Sequence, residues 1–262
     1  MNIIVLAKQV PDTAEVKIDP ETGTMIRDGV PSILNPFDQF ALEEAVKIKK
    51  MTGGKITVIS MGPPQAKSAL QKCLALGADE AILLSDRVFA GADTLATSYA
   101  LYLAIKKVED YDIVFCGQQA IDGDTAQVGP EIAEHLGIPQ VAYVESVLEA
   151  NDGKIRAKSL TDEGYRIVEA PLPVLLTGTP PTDFVPAAPS MMGVMKAKKK
   201  EIPVWSADDV DGDKGRFGLD GSPTRVSKVY SPPVRNEGIL FDDMEKGLEA
   251  AVNAIKERRS GA

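Results

Sequence analysis

The chain has 262 residues, 44% hydrophobic and 26% charged, an ordinary make-up for a soluble globular protein with one large domain and an appendage, or two modest domains. A formal net charge of -9 excludes a duplex-binding surface, which needs a basic face, and the two cysteines, Cys73 and Cys116, sit in apolar surroundings that suit buried thiols better than a disulfide. The start, MNIIVLAKQVPD, is too soon charged for a signal peptide and no apolar run reaches the ~20 residues of a bilayer span, so a cytoplasmic location is expected.

The first half alternates strand and helix, the pattern of an α/β protein with a parallel sheet. Asn2 to Ala7 is a β-branched apolar run that predicts a buried strand, and Glu15 to Asp28, two short segments around ETG, predicts a hairpin excursion. Asn35-Pro36 supplies a cap and a first-turn proline for the helix FDQFALEEAVKIKK, which Gly53-Gly54 stops. Lys55 to Ser60 is the next strand. Gly62-Pro63-Pro64 opens a helix to about Leu76, Ala81 to Leu84 is a strand, and Asp93 starts a helix that reaches about Val108.

Asp112 to Cys116 is a further strand, and it leads into the most informative segment of the chain, GQQAIDGDTAQVG, Gly117 to Gly129. The amphipathic helix PEIAEHLG follows it. A strand, a Gly- and Asp-rich turn with Thr125 as a capping candidate, and then a helix hold phosphate well, because turn amides and the positive helix end point at the anion. Nothing in the loop pairs a nucleophile with its base.

Beyond Gly137 the pattern changes. Val141 to Leu148 reads as a strand, and Lys154 to Lys158 and Tyr165 to Glu169 alternate polar and apolar residues between turn sequences, which predicts an antiparallel edge. Pro173 to Thr177 is a central strand. The proline-rich TPPTDFVPAAPS is irregular, MMGVMKAKKKEI gives a short helix, and Ile202 to Gly238 is again irregular. A last amphipathic helix, Phe241 to Arg259, carries an apolar stripe of Met244, Leu248, Ala251, Val252 and Ile255, which packs either on its own domain or on another subunit.

An open parallel sheet binds ligands at the carboxyl ends of its strands, where strand order reverses. Those ends are Ala7-Lys8-Gln9, Ser60-Met61-Gly62 and Gly117-Gln118-Gln119. Small residues there either make turns or admit a nucleotide close to the backbone, and three beside a phosphate-type loop favour the nucleotide. Catalytic alternatives are thin. The one histidine, His135, is expected to face solvent or a salt partner, and with two distant cysteines it makes no zinc site. There is neither a GxxxxGK[ST] loop nor a GxGxxG in a first strand-helix turn. Asp122 and Asp124 serve a metal or, equally, turn geometry. The run Lys196 to Lys200 is a solvated helix face or a means of steering an acidic partner.

AKQVPD, NPFDQFALEEAVK, LALGADEAILL, GQQAIDGDTAQVG, LPVLLTGT and MKAKKKEI, in this order and spacing, resemble the beta (small) subunits of electron transfer flavoproteins over nearly the whole chain. The resemblance implies an α/β nucleotide-binding domain over residues 1–200, Rossmann-like with antiparallel additions, and an arm over 201–262 that packs on an alpha subunit. It implies an obligate heterodimer in which the alpha subunit carries a redox-active FAD and the beta subunit binds an adenine nucleotide. Two branches differ in that ligand: AMP in ordinary carriers, and a second FAD, reduced by NADH, in the electron-bifurcating branch. There one electron goes to ferredoxin or flavodoxin and the other, through the alpha FAD, to an acyl-CoA or similar dehydrogenase. DGDTAQVG, with Gly123 and Thr125, and VPDT at Val10 to Thr13 resemble the bifurcating branch more.

The expected ligand contacts are Ala7, Gln9, Asn35, Ser60, Met61, Gly62, Gly117 and Ala120, then the phosphate loop Asp122, Gly123, Asp124, Thr125, Ala126, Gln127, Val128 and Gly129. A flavin ring would project past Gln9 to Thr13. The segment around Met191, Met192, Lys196 and Lys199 resembles the loop that docks on partner dehydrogenases. It departs from the pattern, since Met191-Met192-Gly193 stands where many relatives have Leu-Pro-Asn. No metal and no catalytic side chain is expected. Without the resemblance, the same layout also suits a colourless nucleotide sensor of the universal-stress type.

Overall fold

A computed structural model describes residues 1–12, 17–18, 25–26, 31–151, 153–227 and 239–260. β1, Ile3–Leu6, is buried at every position and sits inside a nine-stranded sheet. β2, Gln9–Pro11, leaves that sheet and pairs antiparallel with β5, Ser32–Leu34, a two-stranded flap the sequence did not announce. Between them, β3 (Lys17–Ile18) and β4 (Met25–Ile26) pair antiparallel, as expected of the hairpin; the rest of Glu15–Asp28 lies outside the described residues, as does Thr13.

α1, Pro36–Thr52, starts on its proline and ends at Gly53, whose φ of 75° favours glycine. β6 (Ile56–Met61), α2 (Lys67–Leu76), β7 (Glu80–Leu84), α3 (Thr94–Val108) and β8 (Ile113–Gly117) follow in strict alternation. Asp93 caps α3 by accepting from Ala96 N–H. α4, Val128–Leu136, closes on Gly137 in the left-handed region. β9 (Gln140–Asn151), β10 (Lys154–Thr161) and β11 (Gly164–Pro171) form an antiparallel extension, joined to the parallel strands through β12, Val174–Gly178.

With β13, Val204–Trp205, at one edge, the strand order is β11-β10-β9-β12-β8-β1-β6-β7-β13. From β1 the chain builds outward through β6 and β7, then returns to place β8 on the other side of β1. The order therefore reverses between β1 and β8, and a crevice opens beyond their carboxyl ends. Ile3 and Val5 pack under α1 and α2, whereas Ile4 and Leu6 pack under α3 and α4, so each helical layer covers one face.

α5, Met191–Ala197, lies on α2, where Gly193 is required because a Cβ would stand 2.3 Å from the Ala75 carbonyl oxygen. Past residue 200 the chain is less irregular than its composition suggests. β13, Val204–Trp205, adds a parallel edge to β7, and Ala207, Val210 and Phe217 are buried against the α3 layer. Phe217 meets the Phe89 ring edge-on at 5.1 Å. α6, Met244–Ser260, keeps Met244 (88% exposed), Leu248, Val252 and Ile255 open in the single chain.

Candidate functional site

A cavity of about 910 Å³ fills the crevice beyond β1, β6 and β8. Of the expected contacts, Ala7, Asn35, Met61, Gly117, Ala120, Gly123, Thr125, Ala126, Gln127, Val128 and Gly129 line it. Gln9, Ser60, Gly62, Asp122 and Asp124 do not. Gln9 turns its amide to Ser68 Oγ at 2.7 Å and the Gln65 carbonyl, and Ser60 is buried beneath the wall. The Gly62 amide continues the sheet by donating to the Leu84 carbonyl. Asp122 pairs with Lys8 Nζ at 2.7 Å, and Asp124 accepts from Gln119 Nε2 at 2.7 Å. The two aspartates are thus engaged by neighbours within the loop's own frame.

The loop is held from α1. Asn35 stands at the N-cap position but makes no capping bond with its side chain; fully buried, it donates to the Gln119 carbonyl at 2.8 Å and accepts from Ile121 N–H at 3.3 Å. The capping role expected of it is therefore replaced by a longer-range one. Asp38, one turn on, accepts from Lys8 N–H at 2.8 Å and Gly117 N–H at 2.9 Å, tying the ends of β1 and β8 together across the switch point. Burial pushes its carboxyl up to about 6, against the lowering effect of those amides and of Asn35. Gly117 has no room for a side chain, because a Cβ would lie 2.5 Å from Asp38 Oδ1.

Between Gly117 and Gly129 the backbone turns through Asp124 and Ala126, both at positive φ (51° and 54°) without being glycine. Such alternation presents successive amides to one side. Thr125 does not cap α4, which starts at Val128 after an N-cap Gln127 that makes no side-chain capping bond. The first-turn amides of Val128 and Gly129 have no intrahelical partner by geometry, and both residues line the cavity. Gly129 lets the helix end approach: a Cβ would sit 2.8 Å from Thr177 Cγ2 and 2.9 Å from Cys116 Sγ. At Gly123 nothing lies within 4 Å of a built Cβ. The donor-rich rim, with Lys8 at its mouth, fits a phosphate or pyrophosphate group.

The far half of the cavity escaped the sequence. It is lined by Phe89, Gly91 to Leu95, Thr97 and Leu101 around the start of α3, by Glu131, and by Pro223, Thr224 and Val226 from the tail. Asp93 joins these parts: its amide donates to Ser222 Oγ at 2.8 Å, and its carboxylate accepts from Thr224 N–H at 3.0 Å and Thr224 Oγ1 at 2.8 Å. Despite a desolvation cost, the Ala96 and Thr224 donors hold that carboxyl below its usual range. The signal was present in GADTLA, read only as a helix start.

The remaining chemistry-bearing residues stand apart from the cavity or are muted by burial. Cys73 and Cys116 are free and buried; burial pushes the Cys73 thiol up to about 12, and that of Cys116 rises likewise. His135 does not face a salt partner but packs between the rings of Tyr99 and Tyr102, at 6.0 and 5.3 Å, and burial, then Arg216, lowers its pKa. Met191 and Met192 are 85% and 70% exposed on α5, with Lys196 and Lys199 exposed beside them, and none of the four lines the cavity. No helix among the described residues is long and apolar enough to cross a membrane.

The electron transfer flavoprotein domain matches residues 22–210. The chain is 55% identical, over 98% of both chains, to the electron transfer flavoprotein subunit beta of Clostridium acetobutylicum. It is 51% identical to the caffeyl-CoA reductase-Etf complex subunit CarD of Acetobacterium woodii, over 98% of this chain and 99% of that one. It is also 44% identical to protein FixA of Bradyrhizobium diazoefficiens, over 97% of this chain and 91% of the relative.

Proposed function

The chain belongs to the electron transfer flavoprotein family, as a subunit of the beta type, and on that premise we propose that its cavity binds FAD and serves electron bifurcation. The observation that carries this reading is the extent of the cavity. At about 910 Å³ it is near the top of the ~300–1,000 Å³ typical of small-molecule sites, and it runs well past the phosphate rim. The far half offers Phe89, Leu95, Leu101 and Val226, an apolar setting for a flat ring that AMP lacks; this replaces the course past Gln9 to Thr13 expected from the sequence, since Gln9 does not line the cavity and Thr13 lies outside the described residues. The near-full-length match to a subunit named for a reductase-Etf complex supports the same reading.

In this reading the amides of Val128 and Gly129 and the turn through Gly123 to Ala126 hold the pyrophosphate, and Lys8 screens its charge. Ala7, Asn35 and Met61 flank the adenosine. Asn35 and Asp38 keep the loop in register with β1 and β8, so the donors are positioned before the ligand arrives. The tail segment Pro223 to Val226 shields the ring end from water. Bound FAD supplies hydride acceptance from NADH and one-electron transfer; the chain supplies binding, orientation and shielding.

The partners follow from the exposed surfaces. α6, with its open apolar stripe, suits an alpha subunit that carries the second FAD. Met191 and Met192, with Lys196 and Lys199, suit an acyl-CoA or similar dehydrogenase, since flexible thioethers fit apolar pockets and lysines steer an acidic surface. Ferredoxin or flavodoxin is the other acceptor.

The test is the nucleotide content of the heterodimer, measured after denaturation, with a parallel sample resupplied with FAD. Two FAD and no AMP per heterodimer is the expected result. One FAD with one AMP overturns bifurcation and leaves a simple carrier, and absence of flavin after resupply points to a nucleotide sensor.

A further inference from the structure

A second depression, of about 350 Å³, lies on the far side of the phosphate loop. Gln118 and Ala126 line both it and the large cavity, so the loop is a shared wall. The rest of its lining is Pro130, Gln140, Ala142, Tyr143, Arg166 and Thr177. Arg166 is the single charged residue among them, and its guanidinium makes no hydrogen bond or ion pair with any described residue. Its neighbours on the hairpin behave otherwise: Lys154 pairs with Glu169, Arg156 with Glu149 and Lys158 with Glu145. In a chain of net charge -9, a depression with an unpaired guanidinium and no carboxylate is unusual.

Backbone strain is gathered at the same place. Tyr143 has φ 56° and Ala126 φ 54°, two of the four non-glycine residues at positive φ among the described residues. Tyr143 lies where the β9–β12 register shifts between Leu176 and Gly178, with its N–H turned to Thr177 Oγ1 at 3.2 Å. Bulges re-aim side chains, and a left-handed aromatic residue is a strain that the surrounding structure must hold. The consequence is a Tyr143 left 46% exposed in the lining, alongside Arg166 and the Gln140 amide.

We infer that this depression, built by Arg166, Tyr143 and Gln140 against the back of the phosphate loop, is a second anion site that takes a phosphate-bearing nucleotide group. The guanidinium fork matches phosphate oxygens and the Tyr143 hydroxyl and Gln140 amide add donors. The inference goes beyond the reading of the large cavity and holds whichever nucleotide fills that cavity. Because Gln118 and Ala126 belong to both walls, occupancy of one site alters affinity at the other, reciprocally.

The test uses the full chain in its purified assembly, with the large cavity saturated with nucleotide, titrated calorimetrically with pyrophosphate. One equivalent is expected to bind per chain, with affinity about tenfold to a hundredfold lower in Arg166→Gln and partly restored in Arg166→Lys. The Arg166 side chain is exposed and makes no bonds, so melting temperatures of the variants serve as the control for folding. Two sources of the phosphate are separated by competition. If NADH displaces pyrophosphate from the wild type, the group belongs to a second nucleotide. If pyrophosphate binds only after the large cavity is emptied, and Arg166→Gln also sheds that cavity's ligand, the group belongs to one ligand spanning both. Absence of saturable binding with the large cavity filled and again with it emptied, or equal binding by Arg166→Gln, overturns the inference.

Discussion

The side-chain amide of Asn35 donates to the carbonyl of Gln119 at 2.8 Å, joining the start of α1 to a loop 84 positions further along the chain. With its Oδ1 it also accepts from Ile121 N–H, so one buried residue satisfies two backbone groups of the loop that lines the cavity. Asn35→Ala leaves both groups unpaired at the cavity wall. The expected loss is about 1–3 kcal/mol of stability, with a disproportionate fall in nucleotide retained through gel filtration. Thermal melts and chromatography of released nucleotide check it; retention equal to wild type would refute the role given to Asn35.

Asp38 makes a pH-dependent contribution of unusual sign. Its folded pKa, about 6, is above the ordinary aspartate value of 3.8, so between those values the folded chain binds the proton and the unfolded chain does not. Its contribution is therefore most favourable in acid and is lost as pH rises from about 4 to 6, on the order of 3 kcal/mol. Asp93, whose pKa is lowered, acts in the opposite sense: its contribution is present at neutral pH and is lost on acidification. Comparing wild type with Asp38→Asn cancels Asp93. The difference between their denaturation free energies should change through pH 4–6 and be flat above about 7. A difference independent of pH would contradict the assignment.

Gly129→Ala forces a methyl group to within 2.8 Å of Thr177 Cγ2 and 2.9 Å of Cys116 Sγ. Moving the start of α4 outward should cost about 1–3 kcal/mol, beyond the ~1 kcal/mol by which alanine favours a helix, and weaken phosphate binding. Thr177→Ser removes the methyl while keeping the oxygen that accepts from Tyr143 N–H. The double variant should recover part of the loss, which a cycle of melts measures.

Asp93→Ala removes the cap of α3 and the anchor of Thr224 together. We expect about 1–2 kcal/mol of destabilisation from the cap and faster proteolysis of the segment beyond Ser222. Asp93→Ser keeps a capping oxygen and should restore more of the stability than of the protease resistance. Limited proteolysis followed by mass determination distinguishes the two effects.

The parallel sheet was legible because its signals are local: β-branched runs at Asn2 to Ala7 and Lys55 to Ser60, and stop signals at Gly53 and Gly77, are read within a few residues. So was the loop that lines the cavity, where Gly117, Gly123 and Gly129 punctuate one segment. What escaped depends on distant partners. Asn35 before Pro36 looks like a cap at short range, and its use by Gln119 and Ile121 is visible only once β1 and β8 are adjacent. The α3 half of the cavity was hidden for the same reason, since GADTLA carries no sign that Ser222 and Thr224 return to it. The composition of Ile202 to Gly238 suggested irregularity because the apolar residues buried over 202–222, Ile202, Ala207, Val210 and Phe217, are few and widely spaced.

Pro223, Thr224 and Val226 belong to the cavity wall although they lie near the end of the chain. During synthesis the sheet, the phosphate loop and α3 all leave the ribosome before this wall exists. Domains gain structure as they emerge, at roughly 5–20 residues per second. The last wall of the cavity to be made is therefore fastened at a residue made long before it: Ser222 and Thr224 both bond to Asp93 at the start of α3.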